Sequence, residues 1–165
     1  MTMSQQPSPI LVRVRQVSIR LEDSTSSERL EALEELQTLA RQHPALVCDV
    51  SLPRLLQVLQ ERGSSEEYTE TLYVIDSLVK CKDNLVAIKN TQALLADRDN
   101  VELLLDMLDH SDPTVGVMTS QILTEIHSHD AEKLEAMIQE CPDGMNKLLQ
   151  VRLSYRKWPY LYIVS

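Results

Sequence analysis

Residues 100–126, NVELLLDMLDHSDPTVGVMTSQILTEI, hold two amphipathic helices and a tight joint, and the rest of the chain is read from them. Leu103, Leu104, Met107 and Leu108 recur at one-, three- and four-residue steps, which places them on one side of a 3.6-residue helix. His110 and Ser111 then lead to Asp112-Pro113. Asp suits the cap of a new helix, and Pro suits its first position, where a missing N–H costs nothing. Val115, Met118, Ile122, Leu123 and Ile126 form a second apolar stripe. Neither helix can hide its stripe alone, so the two must pack as a pair.

The pair repeats. Leu55-Leu56-Gln57-Val58-Leu59 lies over Leu104-Leu105-Asp106-Met107-Leu108 at an offset of 49, and Val74-Ile75 with Leu78 lies over Ile122-Leu123 with Ile126 at an offset of 48. Leu148-Leu149-Gln150-Val151 repeats the earlier LLQV 93 residues on. A period of 44 to 49 residues suits armadillo or HEAT helix stacks. The expected fold is all-α, a right-handed α-solenoid of helix pairs spanning residues 10–151. Residues 83–99 read as an insert between copies. In the third copy the register predicts Leu at 152 and a further paired helix, but the chain gives Arg152 and then LSYRKWPYLYIVS. Trp158-Pro159 breaks a helix, so the stack reads as unfinished, with 152–165 an atypical aromatic and basic segment.

Helix boundaries follow from caps. Residues 1–9, rich in Ser, Gln and Pro, read as loose. Ile10, Val14, Val17 and Leu21 at steps of four, three and four favour a helix over 10–21, although Val12 and Val14 alternating with Arg13 and Arg15 also fit a strand. This Arg-rich, acid-free start resembles a mitochondrial presequence too; the alternative is a helix that caps the open end of the stack. Thr25–Glu28 and Ser64–Glu67 have capping-box spacing. They predict helices over 26–42, with Ala32, Leu33, Leu36, Leu39 and Ala40 inward, and over 66–80, with Tyr68, Leu72, Ile75, Leu78 and Val79 inward. Between them a short helical turn at 45–50 precedes Ser51-Leu52-Pro53, a second cap-and-proline start for a helix over 52–61. Helices over 99–109, 113–127, 131–139 and 143–151 complete the set.

Composition restricts the function. The chain of 165 residues has no Phe and three Gly, so Leu carries the core. The formal net charge is −9; residues 1–21 and 141–165 each carry +3, which leaves −15 for 22–140. An acidic body repels phosphate backbones, so no nucleic-acid partner is expected. Three cysteines, an odd number, in a chain with no secretory signal read as buried small hydrophobes of a reducing compartment, and cytosol is the default.

The order of elements over 24–150 resembles the start of the globular head of the general vesicular transport factor family, the Uso-type tethers. The resemblance is carried by Leu52-Pro53 with Leu55, Leu56 and Leu59, by Thr71-Leu72-Tyr73 with Ile75, by Asn100-Val101 with Leu103-Leu104-Leu105 and Leu108, by Asp112 with Val115, and by Pro142 with Gly144-Met145 and Leu148. It implies an armadillo-like, protein-binding head of a tether in endoplasmic reticulum-to-Golgi and intra-Golgi transport. It also implies a cytoplasmic protein, held at Golgi membranes only through partners. Those partners would be Rab-type small GTPases, Golgi tethering or coat proteins, and a second copy in a homodimer. No heptads or acidic run accompany these residues, so the head is expected without the family's coiled-coil rod.

Other chemistry is poorly represented. His127, His129, Asp130 and Cys141 lack the paired spacing that presets a metal tetrahedron, and Glu102, Asp106, Asp109 and Asp112 read as a solvated acidic patch. No phosphate loop, nucleophile set, metal or cofactor motif stands out, so neither an enzyme nor a cofactor is expected. Stacked armadillo units bind partners along their last helices. The candidate partner-binding face is therefore Glu70, Asp76, Lys80, Thr114, Thr119 and Glu125. A different armadillo adaptor, a chaperone cofactor and a mitochondrial helical protein are the alternative functions.

Overall fold

The computed structural model describes residues 6–22, 25–61 and 63–154, with side chains as far as residue 149. The described residues fold as an all-α solenoid of eight helices and one 3₁₀ turn. In chain order these are α1 (Pro9–Ile19), the turn Arg20–Glu22, α2 (Ser26–Gln42), α3 (Pro44–Gln60), α4 (Ser65–Val79), α5 (Asn84–Leu94), α6 (Arg98–Leu108), α7 (Pro113–Glu140) and α8 (Gly144–Ser154). Helices α2, α4 and α7 lie side by side in one layer, and α1, α3, α6 and α8 make the other. Between the layers runs one continuous core that is mostly Leu, Ile and Val.

The caps act as their spacing predicts. Thr25 Oγ1 accepts a hydrogen bond from Glu28 N at 3.4 Å, and Asp112 Oδ1 accepts one from Thr114 N at 2.9 Å with Pro113 at the first helical position. Ser64 and Glu67 form a complete capping box, with Ser64 N donating to Glu67 Oε2 at 2.9 Å and Glu67 N donating to Ser64 Oγ at 3.2 Å. The five predicted inward residues of α2 are all buried, as are those of α4 and the second stripe of the 100–126 pair. The α6 stripe is rotated by one residue: Val101, Leu104, Leu105 and Leu108 are buried, while Leu103 and Met107 sit at its margin. The cause is a second neighbour, because α6 packs against α8 as well as α7.

Three expectations are corrected. The N-terminal segment is ordered earlier than predicted, since Ser8 caps α1 and Pro9 is already helical. Residues 45–50 and 52–61 are parts of a single helix, with Pro53 inside it. The carbonyl that loses its helical partner there belongs to Asp49, an exposed residue. Ser51 is consequently no cap: its Oγ is buried and shares a 2.5 Å hydrogen bond with Ser18 Oγ of α1. The insert at 83–99 is a helix, α5, capped by Asp83 and packed between α3, α4 and α7. The predicted break between 113–127 and 131–139 is present inside α7, where the backbone at Asp130 is non-helical and its Oδ1 accepts a hydrogen bond from Lys133 N at 3.2 Å, capping the second piece.

The strand alternative for 10–21 is excluded by α1, which buries Val14 and Val17, and by the turn Arg20–Glu22, which buries Leu21. Of the segments expected to be loose (1–9) and atypical (152–165), residues 1–5 and 155–165 lie outside the described residues, while 152–154 continue α8.

The α5 helix is held by a polar anchor. Asn90 Nδ2, 2 % exposed, donates to Leu78 O at 2.9 Å and to Pro44 O at 3.4 Å, closing the last turn of α4 and the start of α3 with one amide. Asn90→Ala is expected to cost about 1–3 kcal/mol, because the Leu78 carbonyl at the end of α4 loses its buried donor. Urea unfolding followed by helical circular dichroism checks it, and a cost near zero would mean that water replaces the amide.

Candidate functional site

The α2–α4–α7 layer presents an open face, and the α2–α4 half of it has the clearest chemistry. Residues Ser27, Glu31, Glu34, Thr38 and Arg41 of α2 fall at steps of four, three, four and three. Glu66, Glu70, Tyr73, Ser77 and Lys80 of α4 repeat those steps at a constant offset of 39. Such spacing draws one straight line along each helix. After Ser27, both lines read acidic, then neutral, then basic.

The two helices run parallel, since the contacts between them advance together. Arg29 Nε donates to Glu67 Oε1, and Gln37 Nε2 donates to Glu70 Oε2. At the amino-terminal end Glu31, Glu34, Glu66 and Glu70 line a cleft of about 240 Å³ over Leu30. At the carboxy-terminal end Arg41, Lys80 and Lys82, with Asp76 and Asp83, line a second cleft of about 640 Å³. Tyr73 stands between them, 48 % exposed, one of the few large apolar side chains open to solvent.

Beneath the acidic cleft, Glu67 is 2 % exposed and sits on Arg29. Burial alone would push its carboxyl up. The Arg29 side chain and the Ser64 backbone N–H outweigh burial, and the carboxyl is held below the usual carboxylate range. On the outer flank of α2, Arg13 and Arg20 of the amino-terminal segment bind a neighbouring row of acids that shares Glu31 with the cleft: Arg13 pairs with Glu35, and Arg20 reaches Glu31 at 3.5 Å, Glu35 at 3.3 Å and Glu28 at 3.6 Å.

Most of the six sequence-chosen residues reach this layer. Glu70, Asp76 and Lys80 border the α2–α4 groove, and Lys80 pairs with Asp76 at 3.0 Å. Thr114 is exposed at the start of α7, and Glu125 is half-buried 3.5 Å from His129. Thr119 is a correction. It is fully buried, and its Oγ1 donates to Val115 O at 2.7 Å, so it cannot meet a partner. It falls on the side of α7 turned to its neighbours, where a hydroxyl survives because a backbone carbonyl one turn back satisfies it. The residues that were missed are Glu31, Glu34, Tyr73 and Arg41. A search for repeating polar lines at helical steps would have found them, whereas a search on apolar registers found offsets of 48 and 49.

The other candidates resolve into structural roles. His127 Nε2 lies 2.9 Å from Glu135 Oε1, and His129 Nε2 lies 2.9 Å from Val79 O. Among the described residues no group of three or more His, Cys, Asp or Glu is placed to hold a metal ion. Asp106 pairs with Lys147 of α8, and Asp112 is spent as a cap. Cys48 and Cys141 are buried, and Cys81 is not: it is half-buried, with its Sγ donating to Asp83 O at 3.4 Å. Burial raises all three thiols, that of Cys48 to about 12, away from the thiolate form a nucleophile needs. Among the described residues no helix is long and apolar enough to cross a membrane.

No protein-family model matches the sequence. Among solved structures the chain is similar to Uso1-1, with a TM-score of 0.73 over 87 % of this chain at 17 % sequence identity. The match covers 26 % of that protein's chain, so this chain spans about a quarter of its length. At that identity the likeness is one of fold: the helical-repeat architecture derived above is that of the Uso1-1 structure.

Proposed function

We propose that this chain is a protein-binding, armadillo-like module of a vesicle tethering factor, acting in endoplasmic reticulum-to-Golgi and intra-Golgi transport. The observation that carries the reading is the open α2–α4–α7 face on a fold that matches Uso1-1. A stack of parallel helices gives a long rigid surface whose outward side chains vary freely, which suits partner recognition and offers no enclosed site for chemistry. The module works without a cofactor, in the cytoplasm, and reaches Golgi membranes through its partners: Rab-type small GTPases, Golgi tethering or coat proteins, and a second copy of itself. Helix α1 is built into the core through Val14, Val17 and the Ser18–Ser51 bond, which supports the end-cap reading of the basic segment over a cleavable presequence.

The test is affinity capture from cytosol with the immobilised full chain, followed by identification of what is retained. Retention of a Rab-type GTPase or a Golgi tether or coat subunit is the expected result. Retention of none of these by folded protein would overturn the tether reading and leave a generic helical-repeat adaptor.

A further inference from the structure

We infer that the α2–α4 groove receives an extended segment of a partner protein with Lys or Arg at one end, an apolar side chain in the middle and a carboxylate at the other end. This rests on the reading that the open layer binds protein, and adds the chemistry of what it binds.

Like charges face each other across both ends of the groove. Glu31 and Glu34 of α2 oppose Glu66 and Glu70 of α4 in one cleft, and Arg41 of α2 shares the other with Lys80 and Lys82. Folding gains from opposite signs across a helix pair, as at Arg29–Glu67 just below. The helix macrodipole favours acids at amino ends and bases at carboxy ends, which explains the signs within each helix but supplies no counter-charge. Among the described residues Glu34, Glu66, Arg41 and Lys82 are exposed and have no ion-pair partner, whereas Asp83 is engaged in capping α5 and Asp76 is paired with Lys80. The unpaired Glu34, Glu66, Arg41 and Lys82 are open to a counter-charge from outside.

The molecule already displays the kind of group that fits. One flank of the α2 acid row is covered by Arg13 and Arg20 from the amino-terminal segment, so arginine is the species this row holds when one is within reach. The opposite flank, facing α4, shares Glu31 with that row and adds Glu34, and among the described residues no arginine lines the cleft above Leu30.

Geometry fixes the spacing. From the middle of the acidic cleft to the basic cleft is nine to twelve helical residues, or about 13–18 Å at a rise of about 1.5 Å each. An extended chain advances about 3.3 Å per residue, so about four to six residues separate the ligand's basic group from its acidic one. Tyr73 lies along that path, and its exposed ring gives an apolar side chain in the middle of the segment a surface to cover.

The experiment uses the full chain and two fluorescent synthetic peptides of identical composition. One carries two lysines, a neutral stretch of about five residues centred on leucine, and two glutamates; the other interleaves the same charges. Fluorescence anisotropy should give binding of the block peptide about tenfold tighter than of the interleaved one, weakening as salt rises. The double variant E34K/E66K should lose about tenfold or more in affinity for the block peptide. D109K/E140K changes net charge equally at exposed positions off the groove and should lose little. Equal binding of the two peptides, equal losses in the two double variants, or no binding of the block peptide at about 1 mM would each overturn the inference. Cytosolic capture repeated with E34K/E66K separates the two readings. A tethering partner retained undiminished by that variant leaves the proposed function standing and removes the groove from it.

Discussion

Leu104→Ala and Leu123→Ala are each expected to lower the unfolding free energy by about 2–5 kcal/mol. Both side chains are at most 1 % exposed, and they lie on opposite helices of the α6–α7 pair, at the seam between the two layers. Truncation to Ala removes three heavy atoms from a site enclosed on several sides. In this solenoid the enclosure is rigid: α7 is held by α4 and α5 as well as α6, so the void cannot collapse by moving one helix. Leu149→Ala, on an α8 side chain that is 40 % exposed, should stay within about 0.5 kcal/mol and serves as the control. Urea unfolding followed by helical circular dichroism supplies the measurement. Losses under about 0.5 kcal/mol at both buried positions would place the α6–α7 seam elsewhere.

What the sequence made legible, and what it hid, has one physical cause. Helices with strong caps and wide Leu, Ile and Val stripes were readable to within a residue or two, as at Ser26–Gln42 and Ser65–Val79, because cap and stripe report the same boundary. Helix α5 was hidden because its buried side is Ala87, Asn90, Thr91 and Leu94, half of it polar, and the Asn90 amide is paired by carbonyls that only the folded neighbours provide. Pro53 misled for a related reason. Pro scores as a helix start or stop, yet tertiary packing of Leu52, Leu55, Leu56 and Leu59 holds the helix together across it. The candidate face was half legible. Glu70 and Lys80 were found on α4, but their counterparts Glu31 and Arg41 are also what an ordinary solvated helix displays, and only the parallel packing of α2 on α4 turns two polar lines into one polarised groove. Thr119 fails in the reverse sense, a hydroxyl that reads as surface and is spent inside on Val115 O.

The electrostatic link under that groove gives an acid-dependent stability. Glu67 does three things at once: it completes the capping box of α4, it neutralises Arg29 of α2, and it occupies a nearly solvent-free position between the two helices. Glu67→Ala abandons all three and is expected to cost about 2–4 kcal/mol near neutral pH, since Arg29 loses its Glu67 partner at a mostly buried position and α4 loses half of its capping box. Glu67→Gln keeps a side chain able to accept the Ser64 N–H but loses the ion pair, so its stability should fall between wild type and Glu67→Ala. The pH dependence follows from the lowered carboxyl. A folded-state pKa below the unfolded value of about 4.3 means that the unfolded chain takes up the proton first as pH falls. The stabilisation is thus fully present above about pH 4.3 and is lost progressively as pH drops through the folded pKa. Wild type should therefore lose more stability than Glu67→Gln between about pH 5 and pH 2, and the two should converge at the acid end. Urea midpoints across that range test it, and parallel curves for the two proteins would mean that the Arg29–Glu67 pair contributes nothing to joining α2 and α4.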